Sequence, residues 1–142
     1  MNFKTVKTGE VQDVLPIEVA AKVDTEEYRL PDHSTIRERY VTGLYVADPE
    51  TDDDFYNRTK KLLTRKDFRN AYLSIRTNSE KNAVERIPLR LIAKYNNQGK
   101  PFPIRQGPIN PTDCTLYIND QENITPDRLA VIYFETKIPV RG

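Results

Sequence analysis

The spread of prolines constrains the fold of this chain more than any other feature of its sequence. Its 142 residues include ten prolines but only five glycines, and the prolines stand at positions 16, 31, 49, 88, 101, 103, 108, 111, 126 and 139. Proline lacks a backbone donor and disrupts both helix interiors and central strands. The pattern therefore leaves little room for long helices and favours short strands joined by stiff turns.

The most apolar stretch lies near the end of the chain, at residues 129–134. Six apolar residues follow one another there as Leu-Ala-Val-Ile-Tyr-Phe. The run is too short for a buried helix and is rich in residues that favour strands. Asp127 and Arg128 precede it, and three polar residues, 135–137, follow it. Because an uninterrupted apolar strand needs cover on both faces, we predict a central strand here.

Other stretches alternate between apolar and polar residues, which is typical of strands buried on one face. The alternation predicts strands at 15–23 (with Val23 on the buried face), 36–47, 71–76, 87–93 and 114–118, and more weakly at 4–12 and 27–30. Gly43 inside its segment predicts a bulge or a close backbone approach. Pro88 cannot donate to a ladder, so we expect it at a sheet edge or a bulge.

Two segments lack this alternation. Residues 48–69 predict a short helical insertion around 52–64, because Asp52 or Asp53 suits the start of a helix and Lys60 and Lys61 suit its last turn. Residues 96–111 hold four prolines, which predicts a long, stiff connection.

These elements together predict an all-β fold. We expect a single β-sandwich of six to eight strands, with a jelly roll as the favoured topology and one short helical insertion around 52–64. An immunoglobulin-like sandwich fits less well, because the chain has no tryptophan and only one cysteine. The predicted organisation is an N-terminal arm at 1–14, the sandwich domain at 15–138 and a C-terminal tail at 139–142.

The charge balance limits the classes of partner. The chain carries 22 basic and 21 acidic residues, for a net charge of +1, so it has no global field to attract nucleic acid or an anionic membrane. The longest apolar run has six residues, whereas a membrane-spanning helix needs about 20. The N-terminus also lacks the apolar run of a signal peptide. We expect a soluble protein without membrane insertion.

Few residues suggest catalytic or metal chemistry. His33 is the only histidine and lies in a predicted turn, which favours a surface role. Cys114 alternates in phase with Leu116, which favours a buried, inert thiol over a nucleophile. One histidine and one cysteine cannot build a usual zinc site within one protomer. We therefore predict that the protein is not an enzyme and has no cofactor.

An acidic run could alternatively bind calcium through its oxygen ligands; it comprises Asp48, Glu50, Asp52, Asp53 and Asp54. The run does not match the calcium-binding helix-loop-helix pattern, because the required glycine is absent and Thr59 stands in place of the bidentate glutamate. A solvated loop and helix start is the favoured interpretation.

One basic cluster offers a contact surface, and its members are Lys60, Lys61, Arg65, Lys66 and Arg69. With Phe55, Tyr56 and Phe68 nearby, it has the composition of a surface that binds a nucleic-acid backbone and stacks on bases. The acidic run directly before it weakens that field within a Debye length of about 8–10 Å. A charged helix face or an ion-pair surface between subunits is the favoured alternative.

Several segments carry a resemblance to a known class of proteins. They are the turn Arg-Leu-Pro-Asp at 29–32, the strand Arg-Tyr-Val-Thr-Gly-Leu-Tyr-Val at 39–46, Arg-Ile-Pro-Leu-Arg-Leu at 86–91, Ile-Asn-Pro-Thr at 109–112, and the apolar run before the tail. Across 15–138, their order resembles small jelly-roll structural proteins of non-enveloped viruses and bacteriophages, such as penton and minor capsid proteins. The resemblance implies a virion subunit in ring-like or shell contact with its neighbours, and it carries over no site residue.

The sequence thus favours a structural protein that forms assemblies. The expected partners are further copies of the chain and neighbouring coat proteins in a virion; outside a virion we expect a soluble, cytoplasmic protein. Val41, Tyr45, Tyr72 and Ile92 are expected on outer faces that a neighbour covers. Two alternatives stay open: a nucleic-acid-binding β-domain that uses the cluster at 60–69, and a carbohydrate-binding or adhesin module with a tyrosine-lined groove.

Overall fold

The computed structural model describes residues 13–51, 61–76, 84–119 and 126–138. Within these ranges the strands are β1 Asp13–Ala20, β2 Glu27–Arg29, β3 Tyr40–Val46, β4 Ala71–Arg76, β5 Val84–Pro88, β6 Phe102–Pro108, β7 Thr115–Ile118 and β8 Leu129–Lys137. The helices are α1 Ser34–Arg37, α2 Arg65–Arg69 and α3 Leu89–Asn97, and Pro111–Asp113 forms one 3₁₀ turn.

The strand pairing follows the course of one long hairpin. β1 pairs with β8, β2 with β7, β3 with β6 and β4 with β5, all antiparallel. Two further antiparallel pairings, β3 with β8 and β4 with β7, roll this hairpin into two sheets. The first sheet has the order β1-β8-β3-β6 and the second β2-β7-β4-β5. This is the eight-stranded jelly roll, which confirms the predicted all-β sandwich.

β8 is the central strand that the apolar run predicted. It lies between β1 and β3 in the first sheet. Ala130, Ile132 and Phe134 belong to the main core, whereas Val131 points to the other face. There Val131 packs in a small second cluster with Ala47 and Leu62. Both faces of the strand are therefore covered, and this accounts for its uninterrupted apolar sequence.

The main core fills the space between the two sheets. Alternate residues of β4 and β7 supply Leu73, Ile75, Leu116 and Ile118, each at most 1% exposed. They belong to the same cluster as Leu44, on β3. Fully burying one such side chain is worth about 1.5–3 kcal/mol, so this layer holds the two sheets together.

Gly43 allows a bulge and a close approach inside β3, as predicted. The register of β3 against both β6 and β8 shifts between Val41 and Gly43. A Cβ at Gly43 would lie 2.8 Å from Cβ of Pro101 and 3.3 Å from the carbonyl oxygen of Phe102. Because of the shift, Val41 points into the core and is fully buried, so its predicted place on an outer face is wrong.

The predicted strand at 36–47 begins too early. α1 occupies Ser34–Arg37, and β3 starts only at Tyr40. His33 caps this short helix, since its Nδ1 accepts a hydrogen bond from the backbone N–H of Ile36 at 3.3 Å. The buried side chain of Ile36 fits either assignment, and the cap decides in favour of the helix.

The predicted strand at 87–93 is correct only up to Pro88. α3 begins at the next residue and runs to Asn97. It buries Leu89, Ile92 and Ala93, whose spacing of three and four residues matches one face of a helix. Ile92 is therefore in the core rather than on an outer face. Pro88 ends β5, which is an edge strand as predicted.

The predicted connection at 96–111 contains a strand instead. β6, Phe102–Pro108, pairs with β3 at the edge of the first sheet. An edge strand has one side without ladder partners and so tolerates Pro103 and Pro108. The weak signal at 27–30 corresponds to β2, whereas the one at 4–12 lies outside the described residues.

The predicted helical insertion at 52–64 is only partly accessible, because residues 52–60 lie outside the described ranges. Residues 61–64 are not helical, and Leu62 forms a parallel bridge with Leu129. The helix α2 begins afterwards, at Arg65. β1 begins at Asp13 rather than Leu15, and Val23 is 59% exposed instead of buried. The remainder of the predicted arm and the tail at 139–142 also lie outside the described residues.

Candidate functional site

The outer face of the second sheet carries a stacked pair of tyrosines. Tyr72 on β4 lies directly opposite Tyr117 on β7, and their rings stack at a centroid distance of 4.8 Å. The guanidinium of Arg86, from the edge strand β5, lies 5.9 Å from the centroid of Tyr72. This places a cation against an aromatic face that the chain leaves half-exposed.

A groove continues from these tyrosines along the β5 edge. It consists of two adjoining pockets of about 430 and 380 Å³ that share Arg69 and Arg90. The larger pocket also contains Arg65 and Lys94, and the smaller one also contains Arg86 and Tyr72. We call this surface the basic groove and define it by five cationic side chains: Arg65, Arg69, Arg86, Arg90 and Lys94.

Two helices position four of these cations, and the strand β5 carries the fifth, Arg86. In α2, the Thr64 hydroxyl caps the helix by accepting from the backbone N–H of Asp67 at 3.2 Å, and the buried ring of Phe68 anchors it. In α3, the inward residues Ile92 and Ala93 leave positions 90 and 94 on the exposed side. Residues four apart lie on one helix face, so Arg90 and Lys94 both line the larger pocket from the same side of α3.

The groove has more cations than carboxylates, but its charge is uneven, because Asp48 and Glu50 both line the larger pocket. The carboxylate of Glu50 lies 3.8 Å from Nε of Arg65 and 3.5 Å from the guanidinium of Arg69. These side chains are 45–68% exposed, and exposed ion pairs contribute only about 0–1 kcal/mol. The smaller pocket is lined by three arginines, and no carboxylate is among its lining residues in the described part of the chain.

The N-terminus of α3 adds to this positive potential. Pro88 precedes the helix and makes no side-chain cap, and it lines the smaller pocket together with Arg90. The start of a helix carries a partial positive charge from its unpaired N–H groups. The end of the groove nearest Tyr72 is therefore the part best suited to an anionic group.

The predicted basic cluster is only partly in this groove. Arg65 and Arg69 line it, whereas Lys61 and Lys66 are exposed and do not line either pocket. Lys60 lies outside the described residues, as do Phe55 and Tyr56, and Phe68 is buried in the core. The assignment of the cluster to nucleic-acid or subunit contact stays a prediction.

Sequence reasoning missed Arg86, Arg90 and Lys94. The spacing of four residues between Arg90 and Lys94 is a signal for one helical face, but it is informative only once 89–97 is recognised as a helix, and Arg86 lies outside that helix on β5. Tyr72 and Tyr117 were also missed as a pair, because they come from strands 45 residues apart in the sequence.

The surface at the opposite edge of the second sheet has a surplus of carboxylates. β2 forms that edge, and the exposed carboxylates are Asp24 and Glu26 in the loop before it, Glu27 at its start and Asp127 in the neighbouring turn, alongside the exposed cations Lys22 and Arg29. We call these four carboxylates and Val23 the acidic loop.

Hydrogen bonds hold the acidic loop in shape. The ring of Tyr28 is buried, and its partly buried hydroxyl accepts from the N–H of Lys22 at 2.9 Å and donates to the carbonyl oxygen of Thr25 at 2.8 Å. The N–H of Asp127 donates to the carbonyl oxygen of Ala21 at 3.0 Å, which ties in the neighbouring turn. The loop thus presents its carboxylates from a defined backbone.

The thiol of Cys114 is fully buried, as its phase with Leu116 predicted. Burial raises its pKa to about 12, and its Sγ donates to the carbonyl oxygen of Asn110 at 3.7 Å. A thiol in this state is a poor nucleophile.

A small polar cluster lies on the outer face of the first sheet. The Thr42 hydroxyl donates to Oε1 of Glu135 at 2.6 Å. Desolvation raises the pKa of Tyr45, and the negative charge of Glu135 and a hydrogen bond to it raise that pKa further. The cluster stabilises the bulged part of β3 against β8.

The acidic run shows a structural role at its start. Oδ1 of Asp48 accepts from the backbone N–H of Glu50 at 2.9 Å, which forms a turn. Residues 52–54 lie outside the described ranges. Across the part of the chain that is described, no three metal-binding side chains come together, and no helix is long and apolar enough to cross a bilayer.

Comparison of the chain with protein-family models, curated proteins and solved structures gives no match.

Proposed function

We propose that this chain is a structural subunit that assembles with further copies of itself, as part of a virion coat at a capsid vertex or as a minor coat component. The observation that carries the proposal is the separation of charge in a nearly neutral protein. The second sheet bears the basic groove at its β5 edge and the acidic loop at its β2 edge, whereas the whole chain has a net charge of +1.

Such an arrangement suits self-assembly. Opposite charges on distant surfaces steer copies of one protein into a defined orientation, and like charges disfavour other orientations. The jelly roll is also the fold of many viral capsid domains. This fold-level analogy supports the virion context but does not by itself identify a function.

Native mass tests the proposal. We expect light scattering of the full chain to give a mass that rises above the 16.5 kDa of the monomer with concentration and falls with added salt. A second sample that lacks 1–12 and 139–142 keeps β1 and β8 intact and tests the predicted arms. A 16.5 kDa species at all concentrations, unaffected by trimming, would contradict the proposal.

A second candidate function is contact with single-stranded nucleic acid. It is favoured by one observation: Arg86 lies against Tyr72 beside a pocket lined by Arg69 and Arg90. Positive grooves with aromatic platforms bind nucleic-acid backbones and bases. A labelled oligonucleotide whose affinity falls steeply with salt, and is lost with Tyr72→Ala, is the expected result for this function. Affinity that is unchanged by Tyr72→Ala excludes it at this groove.

A further inference from the structure

We infer that the acidic loop of one copy docks into the basic groove of the next copy, which produces a head-to-tail contact between adjacent subunits. This inference rests on the proposed self-assembly and specifies the surfaces that carry it. The two surfaces have opposite charge and lie at matching levels in the second sheet.

The position of the two surfaces determines the type of contact. The acidic loop adjoins β2 and the basic groove adjoins β5, and these strands are the two outer edges of one four-stranded sheet. A two-fold contact engages both surfaces only when the second sheets of two copies pack face to face, whereas copies placed side by side meet through opposite edges. A contact between opposite edges repeats from copy to copy and closes into a ring when the rotation allows it.

The strand register sets the two surfaces at one level. Glu27 lies opposite Tyr117, Tyr117 opposite Tyr72, and Tyr72 opposite Pro88. One row across the sheet thus leads from the acidic loop to the residue before α3. Copies placed side by side along this row bring Glu27 and the preceding Glu26 toward Arg90.

One exposed apolar residue belongs to the acidic loop. In the described part of the chain, the large hydrophobic residues with high exposure are Val23 at 59%, Leu91 at 37% and Ile138 at 52%. Val23 belongs to the acidic loop, whereas Leu91 follows Arg90 on α3 but lines neither pocket of the groove, and Ile138 belongs to neither surface.

The register also contains one unfavourable element. The next row of the sheet runs from Arg29 through Thr115 and Ser74 to Arg86. Side-by-side docking therefore places Arg29 of one copy near Arg86 of the next, and like charges repel. The proposed alignment of neighbouring copies can therefore be tested, because removing the charge of Arg29 should strengthen the contact.

Charge reversal tests the contact. One variant reverses the acidic loop (Glu26→Lys with Glu27→Lys), and another reverses the groove (Arg69→Glu with Arg90→Glu). We expect each alone to raise the concentration at which half of the chains are associated by roughly tenfold or more, and the four changes combined in one chain to restore association. The matched control reverses Arg37 and Glu38, which are exposed and belong to neither surface.

The arms of the experiment separate the possible outcomes. Association of the native chain with rescue by the combined variant, and tighter association of Arg29→Ala, supports the inference. Association that neither reversal weakens overturns the inference while leaving self-assembly in place. A native chain that stays monomeric overturns both. Loss of oligonucleotide binding in the groove variant alone, with native mass unchanged, assigns the groove to nucleic acid and overturns the inference.

Circular dichroism and thermal unfolding confirm that each variant is folded. All the reversed side chains are exposed, and exposed substitutions usually change stability by less than about 0.5 kcal/mol.

Discussion

The two edges of the second sheet are protected from pairing with other strands in different ways. A sheet edge exposes unpaired backbone groups that attract other strands. At the β2 edge the strand has only three residues, and a loop held by the Tyr28 hydroxyl continues from it. At the β5 edge, Pro88 ends the strand and α3 packs over the opening between β5 and β6.

The difference shows that the way in which a sheet edge is protected also determines which side chains it exposes. The β2 edge depends on local hydrogen bonds, so its exposed side chains need not pack, and carboxylates outnumber cations among them. The β5 edge depends on the buried face of a helix, which aligns the opposite face at intervals of four residues and turns it into a groove with arginines. The β2 edge thus carries a surplus of carboxylates, and the β5 edge carries a groove with a surplus of cations.

The largest expected effect comes from a substitution that weakens the packing of α3 at the β5 edge. Ile92 is fully buried on α3, and Ile92→Ala removes its packing and leaves a cavity. We expect a loss of about 2–5 kcal/mol in the free energy of unfolding, measured by urea denaturation. Leu91→Ala, one residue earlier and 37% exposed, is the control, with an expected change within about 0.5 kcal/mol. Equal effects of the two substitutions would mean that α3 is not anchored as described.

The second prediction concerns the strand that supports the α3 edge from the first sheet. In Gly43→Ala, the added Cβ would meet Pro101 at 2.8 Å and force β3 and the start of β6 apart. We expect a destabilisation of about 1–3 kcal/mol in the same assay. Gly107→Ala is the matched control, since a Cβ there meets nothing within 4 Å. If Gly43→Ala leaves the free energy of unfolding unchanged, the backbone near Gly43 can accommodate a Cβ, and the close approach to Pro101 is not a constraint.

The third prediction concerns the buried thiol of Cys114, which lies in the core and at neither edge. Burial raises the pKa of this thiol from 9.0 to about 12. The folded state then keeps its proton between pH 9 and 12 while the unfolded state loses it. The thiol's contribution to stability is therefore complete below pH 9 and falls as pH rises, at up to about 1.4 kcal/mol per pH unit.

The measurement is the free energy of unfolding between pH 8 and pH 11, for the native chain and for Cys114→Ala. Other groups titrate in this range in both proteins, so the difference between the two slopes isolates the thiol. We expect a shallower fall in Cys114→Ala. Identical slopes would contradict the raised pKa of Cys114.

The smallest expected effect tests the β2 edge. Tyr28→Phe keeps the buried ring but removes the hydroxyl that bonds to Lys22 and Thr25. We expect a loss of about 0.5–1.5 kcal/mol, because the freed backbone groups lie near water and become hydrated. Tyr72→Phe, whose ring stacks on Tyr117 at the surface, is the control and should be near neutral. A loss as large as that of Ile92→Ala would remove the contrast between the two edges.

The candidate site was only half accessible to sequence reasoning. Arg65 and Arg69 stand close together in the sequence and were singled out, but Arg86 and Arg90 come from another segment. Leu89, Leu91 and Ala93 also fit the period of a strand, and this hid the helix that carries Arg90. Two segments about 20 residues apart form one groove only after β4 and β5 have paired.

By itself, the sequence determined the features that depend on neighbouring residues. The apolar run at 129–134 specified a strand covered on both faces, Gly43 specified a bulge, and the phase of Cys114 specified a buried thiol. Patterns of two or three residues are enough for these, because side-chain direction alternates locally along a strand.

Only the tertiary structure decided the secondary structure of segments with an ambiguous pattern and determined which distant residues share a surface. It turned 89–97 into a helix, since the opening between β5 and β6 offered Leu89, Ile92 and Ala93 one surface to bury. It placed β6 at an edge, where prolines are tolerated. It also separated the acidic loop from the basic groove across four strands, because the order β2-β7-β4-β5 results from the rolling of the whole hairpin.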